Sequence, residues 1–290
     1  LGGGSSLDTA KLVALLAATP QPLDGIYGIG LARGPRLPLV QIPTTAGTGS
    51  EVTPIAILTT PSQEKKGVVS PLLYPDLAIL DAELTLGLPP SVTAMTGIDA
   101  MVHAIEAYTS KIKKNPLADG LAREALRLLY DNLPKVLADG RDAGARSAML
   151  VGSMMAGMAF ANAPVGAVHA LAYPLGGHFH VPHGLSNALV LAPVLAYNLP
   201  AAESLYAELA AVINPAQRFA SPAAAAKWFV DDMARLVAAM PFAQTLRAVG
   251  VGEGDLDLLA ADAMKVERLL VNNPRAMTLE AARAIYAGQL

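Results

Sequence analysis

Two periodicities divide the chain. Through residue 88 the apolar positions come in short runs bounded by Gly, Pro and Thr. Leu39–Pro43, Ile55–Thr59, Val68–Ser70 and Leu77–Asp81 read as strands, preceded by one helical pattern at Ser6–Leu16. After Leu88-Pro89-Pro90 the strand signals stop. Apolar residues then recur at helical spacing over Val92–Tyr108, Leu117–Asp139, Ala143–Phe160, Leu185–Tyr197, Ala223–Ala239 and Leu279–Ala287. The alanine-rich segments Pro200–Leu209 and Ser221–Lys227 favour helix too. The double proline predicts a boundary between an α/β domain over residues 1–90 and an all-helical domain over 91–290.

Within the helical part, Ser147 through Ala202 contains no Asp, Glu, Lys or Arg, yet it holds four of the five histidines: His169, His178, His180 and His183. Ala148 to Val168 is long enough to cross a bilayer. Against a span stand Asn162, Pro164 and three interrupting glycines, and no basic cluster or aromatic belt flanks the stretch. The pattern predicts helices packed on all sides, with Met149, Met154, Met155, Met158 and Phe160 filling a core.

Composition narrows the chemistry. With 53% hydrophobic and 16% charged side chains, 290 residues bury substantial cores. A formal charge of −3 without runs of one sign gives no footprint for nucleic acid or an anionic membrane, so small-molecule chemistry is the better expectation. Cysteine is absent, which excludes disulfides, thiolate nucleophiles and Cys-rich metal sites; any metal needs His and carboxylate. The opening LGGGSSLD is not a secretory signal, and the cytoplasm is the expected compartment. A Gly-rich turn normally follows a strand and no initiator Met is present, so a preceding segment is expected to be missing.

Gly2-Gly3-Gly4-Ser5-Ser6 opens directly into a helical pattern. Its glycines let a ligand approach the backbone while the helix start offers free N–H groups, an arrangement suited to pyrophosphate. The full G-x-G-x-x-G spacing is not there, and such turns are common. A second element, Pro43-Thr44-Thr45-Ala46-Gly47-Thr48-Gly49-Ser50-Glu51, clusters hydroxyls with glycines after a strand; it can serve phosphate or ribose, or simply close local turns.

Asp99 and His103 stand four apart in a helical pattern, which stacks both on one face. That spacing alone also describes an ordinary helix pair. His169 and His183, however, lie in the charge-free stretch, where an unpartnered imidazole is costly. One divalent cation shared by Asp99 and three neutral imidazoles would satisfy all four and leave room for a substrate oxygen.

In order along the chain, GGGSSLDTAK, PTTAGTGSEVT, GIDAMVHAIEAY and VHALAYPLGGHFHVPHG resemble the motifs of the iron-containing alcohol dehydrogenases, and the likeness covers essentially the whole chain. The resemblance implies a dehydroquinate synthase-like architecture: a partial, Rossmann-like nucleotide-binding domain followed by an all-α metal-binding domain. It implies Fe²⁺, or Zn²⁺ or another divalent ion, on Asp99, His103, His169 and His183. NAD or NADP would lie along Gly3, Gly4, Ser5, Asp8, Thr44, Thr45 and Thr48, with Lys65 as a further contact by spacing. The residue that separates NAD from NADP would fall in the missing segment. Phe160, Val165 and Tyr173 fall where relatives line the substrate pocket; some relatives carry a proton-relaying His where this chain has Tyr173. His178 and His180 are expected to be hydrogen-bonded bystanders, with proton release to water as the alternative role for either. The implied reaction is hydride transfer between an alcohol or aldehyde and the nicotinamide, in a homo-oligomer, a dimer, with no nucleic-acid or membrane partner. Glycerol dehydrogenase, maleylacetate reductase and dehydroquinate synthase-like enzymes share the architecture, and a non-catalytic metal- or nucleotide-binding fragment is the reading from another class.

Overall fold

The computed structural model describes residues 1–60 and 65–290. Helix α1 (Gly4–Ala18) starts directly out of the glycine turn, and its Leu12 and Leu15 bury against Ile26, Ala56, Val68 and Leu73 in a small core. The other side of that core is a mixed sheet. Strand β1 (Gly28–Ile29) pairs parallel with β4 (Lys65–Val69), and β3 (Ile55–Thr59) pairs antiparallel with β4 in the register Ile57↔Gly67. A second parallel pair, β2 (Val40–Gln41) with β5 (Leu77–Ala78), carries the chain into the threonine loop.

No strand occurs among the described residues after β5. Helix α2 (Pro90–Thr109) begins with proline in its first turn, where the missing N–H costs nothing, and is buried on all sides from Gly97 to Thr109. Around it pack α3 (Pro116–Ala138), α4 (Ala143–Asn162) and α6 (His183–Ile213). Between the last two, α5 (Ala167–Phe179) turns back at 106° to α4. Helices α7 (Pro222–Ala238), α8 (Leu256–Met264), α9 (Glu267–Leu270) and α10 (Leu279–Ala287) close the bundle, and the Tyr286 hydroxyl of α10 donates to the Leu171 carbonyl of α5 at 2.6 Å. Among the described residues, α6 alone is long and apolar enough to cross a membrane, or α4 and α5 taken together as one bent span. The most apolar window of α6 is 61% inside the protein, as befits a core helix.

Several sequence expectations need correction. The segment holding His169 is a helix, in line with the packed helices expected of the charge-free stretch, whereas α6 runs without interruption past Pro193 and Pro200 where the periodicity suggested a stop near Tyr197. A proline removes one helical hydrogen bond, and packing against α2, α5 and α7 outweighs that loss. Strand β2 is two residues long rather than five, and β1, α8 and α9 were not anticipated. Of the residues expected to fill the core from α4, Met149 is buried, Met154, Met155 and Phe160 are partly so, and Met158 is 37% exposed. Helix α4 buries a face of small residues, Gly152, Ser153, Ala156, Gly157 and Ala159, which leaves the longer side chains at its flanks.

That small face has a purpose in the architecture. A Cβ on Gly49 would lie 2.6 Å from the Gly157 Cα, and Gly49 itself takes the left-handed φ of 58°. Backbone thus meets backbone where the threonine loop crosses α4, which seats the loop against the helical bundle.

Candidate metal and nucleotide site

The four residues singled out in the sequence come from three helices and meet at one point. Asp99 and His103 sit one turn apart on α2, His169 lies in the first turn of α5, and His183 is the first residue of α6. One donor atom from each lies within 4.8 Å of every other. Asp99 Oδ1 is 3.5 Å from His183 Nε2 and 3.9 Å from His169 Nε2. Asp99, His103 and His169 are buried, whereas the His183 side chain is 41% exposed and forms the open side.

Two of the three imidazoles are held in the tautomer a metal requires. His103 Nδ1 lies 3.2 Å from the Gly47 carbonyl, which can only accept, so that nitrogen carries the proton and Nε2 keeps its lone pair. His169 Nδ1 lies 2.7 Å from Glu106 Oε2, and Glu106 Oε1 accepts from the Val168 N–H at 2.7 Å. A buried carboxylate on α2 thereby fixes both the start of α5 and the ring it carries. The rings stack in a column, Phe160 on His103 at 4.4 Å and His103 on His169 at 4.7 Å, with Tyr173 6.2 Å from His183. Asn273 supports the column from outside: its Oδ1 accepts from the Ala167 N–H at 3.3 Å and from Asn198 Nδ2 at 2.9 Å.

Burial sets the charges. It holds the His103 imidazole down at about 3, with repulsion from His169 and His183 working alongside it and the attraction of Asp99 only partly opposing. Burial alone would push the Asp99 carboxyl up, and His183, His103 and His169, with the hydrogen bond from Asn187, outweigh it and hold it below the ordinary value. His103 therefore offers a free lone pair at pH values where an exposed histidine is protonated. The unfolded chain takes up a proton near pH 6.5 that the folded chain refuses until about 3. Stability contributed by the neutral ring is fully present above that window and falls, by up to about 1.4 kcal/mol per pH unit, as pH drops through it. Urea midpoints of chelator-treated protein between pH 7 and 4 should show that slope, and His103→Gln should flatten it; equal slopes would contradict the assignment.

The glycine turn and the threonine loop adjoin this cluster. The Gly2 N–H donates to the Ile42 carbonyl and the Thr44 N–H to the Gly2 carbonyl, at 3.2 and 3.0 Å, so the glycine turn and the threonine loop run side by side. A Cβ on Gly3 would lie 3.6 Å from Thr45 Oγ1, and one on Gly4 2.7 Å from Thr48 Cγ2. The same loop supplies the Gly47 carbonyl to His103, so a few residues join the helix start that suits a pyrophosphate to the histidine cluster. Ser5 stands exposed in the first turn of α1. Asp8 accepts from Ser50 Oγ at 2.6 Å and from the Ile57 N–H at 2.9 Å, which ties α1 to the loop and to β3. The Lys65 Nζ donates to Thr59 Oγ1 at 2.7 Å, and its Cε reaches within 3.9 Å of a Cβ built on Gly176 of α5.

The remaining candidates separate. Phe160 and Tyr173 touch the cluster, while Val165 is buried in the helical core. His178 pairs with Asp262 at 2.6 Å, and His180 ends α5 in the left-handed conformation at φ 54°. Glu106, Asn187 and the Gly47 carbonyl escaped the sequence reading. Two of them had a signal: Glu106 is seven residues after Asp99 and Asn187 four after His183, each on its partner's helix face. Gly184 sets the contact between α6 and α2, since a Cβ there would lie 2.3 Å from the Met95 carbonyl oxygen. Gly184→Ala is expected to lower stability by about 1–3 kcal/mol and to weaken divalent-ion binding together, by moving His183 off Asp99; thermal melting with ion titration checks both.

The pattern described as iron-containing alcohol dehydrogenase matches residues 1–82, and that described as Fe-containing alcohol dehydrogenase family, C-terminal, matches residues 93–290. The chain is 42% identical over 289 residues to the long-chain-alcohol dehydrogenase 1 of Geobacillus thermodenitrificans, covering 99% of this chain and 73% of that protein. Among solved structures it is similar to a 1,3-propanediol oxidoreductase, at TM-score 0.94 and 37% identity, covering 100% of this chain and 75% of that one. A sulfoacetaldehyde reductase from Bifidobacterium kashiwanohense in complex with NAD+ superposes at TM-score 0.86 and 31% identity, covering 100% and 74%.

Proposed function

The chain belongs to the iron-containing alcohol dehydrogenase family, and from that membership we propose that it is a nicotinamide-dependent, metal-dependent alcohol dehydrogenase or aldehyde reductase. Residues 1–90 serve the dinucleotide and residues 91–290 the metal. Asp99, His103, His169 and His183 hold Fe²⁺, or Zn²⁺ in its place. The donor chemistry fits such an ion: one carboxylate and three imidazoles, two of them with Nδ1 engaged by an acceptor so that Nε2 is free, converge on one point. The glycine turn at Gly3, Gly4 and Ser5 and the loop at Thr44, Thr45 and Thr48 receive the pyrophosphate and ribose, and Lys65 reaches in from β4. Asp8 positions these elements through Ser50 and Ile57.

When bound, the ion supplies Lewis acidity toward the alcohol or carbonyl oxygen, and the nicotinamide accepts or gives the hydride. The chain's own residues do the rest. Glu106 keeps the proton of His169, and the Gly47 carbonyl that of His103, on Nδ1, away from the ion. Phe160 closes one side of the ring column, and the charge-free walls formed by α4 from Ser147 onward, α5 and the start of α6 exclude water from the hydride path and strengthen electrostatics there. Tyr173, beside the exposed edge of His183, borders the substrate. No side chain in the cluster is required as a nucleophile.

The carrying observation is the convergence of the four donors beside a loop that also packs on the glycine turn. The test is a panel of alcohols and aldehydes run with NAD(H) and NADP(H), on protein loaded with Fe²⁺ or Zn²⁺ and on chelator-treated protein. Turnover that appears with the ion and vanishes on chelation is expected; equal turnover in both preparations contradicts the reading.

A further inference from the structure

Asn187 stands on α6 one turn after His183 and is completely buried. Its Nδ2 lies 2.5 Å from Asp99 Oδ1, 3.2 Å from His169 Nε2 and 3.3 Å from His183 Nε2. Three of the four donor atoms assigned to the ion therefore surround the end of this one amide. An NH₂ group has two hydrogens and cannot serve three acceptors at once. Its other end is in the opposite condition: Oδ1 is buried and has no hydrogen-bond partner among the described residues. A buried acceptor left unmade is costly in any fold, and this one belongs to a group whose two ends exchange by half a turn of the side-chain torsion.

Resting on the reading of Asp99, His103, His169 and His183 as ion ligands, we propose that Asn187 is an additional oxygen donor to the same divalent ion. Lone pairs engaged by a cation no longer accept from Nδ2, and amide hydrogens facing a cation are repelled by it. An amide oxygen is attracted, being a hard neutral donor suited to Fe²⁺ or Zn²⁺ alongside imidazole and carboxylate. Turning Oδ1 inward thus gives the orphaned oxygen a partner and takes the amide hydrogens away from the cation. It also explains why an amide, rather than an apolar residue, occupies a wholly buried position on a helix otherwise rich in Leu, Val and Ala.

The experiment titrates Zn²⁺ against a chromophoric chelator for wild type, Asn187→Leu and Asn187→Asp, with a melting curve for each. Leu matches the size and has no oxygen; Asp keeps the oxygen and loses the N–H donor. Affinity is expected to fall by about tenfold or more in Asn187→Leu. Asn187→Asp should bind as tightly as wild type or more so. Wild-type affinity in the leucine variant overturns the proposal, as does an equal loss in both, since that would make the N–H the working end. Should the leucine variant fail to fold, a tenfold loss in Asn187→Asp is by itself the overturning result. If wild type holds no Zn²⁺, the ion-site reading fails first, and that outcome is distinct from a site that binds but ignores Asn187.

Discussion

Asp99→Ala is expected to lose the divalent ion and, with it, turnover. Of the four donors Asp99 alone carries charge, because the imidazoles are neutral ligands and His103 is held neutral by burial. Removing it leaves a dication facing three neutral nitrogens, with the nearby Glu106 carboxylate engaged by the far side of the His169 ring and by the Val168 N–H. Loss of a residue that merely supports a ligand costs about 10–100-fold in metal affinity, and loss of the sole charged ligand must exceed that. Element analysis after dialysis should find less than a tenth of the wild-type ion content, and steady-state rates should fall with it. The fold should survive, since Asp99 is one small side chain in an extensive apolar core. Asp99→Ala protein that retains stoichiometric ion would remove the carboxylate from the site.

The second large effect is at Glu106, and two substitutions there are expected to part company. Glu106→Leu takes the acceptor from the Val168 N–H and from His169 Nδ1 together. Each buried donor left without a partner costs about 1–3 kcal/mol, so a total loss of about 2–6 kcal/mol is expected, read as a lowered Tm and urea midpoint. Glu106→Gln keeps an oxygen for Val168 and therefore most of the stability. Its NH₂ group, however, presents a donor to His169 Nδ1, which drives that nitrogen to accept and moves the ring proton onto Nε2, the atom aimed at the ion. Ion affinity should drop by about 10–100-fold in a protein that still melts near the wild-type temperature. A glutamine variant that binds the ion as wild type does would show that the tautomer is not what Glu106 controls.

Much of this was visible in the chain itself, for reasons that can be named. The charge-free stretch from Ser147 to Ala202 had to be interior, and its histidines had to find partners there; His169 and His183 did, with Asp99 and His103 supplied by a helix whose four-residue spacing stacks them. Elements with strong local codes also read well: Ile55–Thr59 is a short apolar run rich in β-branched residues, and Leu279–Ala287 is amphipathic behind a Thr278 cap whose side chain accepts from the Ala281 N–H. What failed was decided at long range. Helix α5 contains Pro174, Gly176 and Gly177 and is helical because α6, α8 and α9 pack on it, while the strands β1 and β2 are too short for any period to show. Glu106 lies within the motif GIDAMVHAIEAY, but its role depends on α5 bringing His169 and Val168 to it, which no local pattern states. The Gly47 carbonyl is backbone and leaves no side-chain signature at all.

The measurement that bears most directly on the site is the position of the ion, located by anomalous scattering at the iron or zinc edge in crystals of the loaded protein. One peak is expected, within about 2.0–2.3 Å of the Asp99 carboxylate and of a nitrogen from each of His103, His169 and His183. A peak elsewhere, or none after loading, would contradict the assignment and the chemistry built on it.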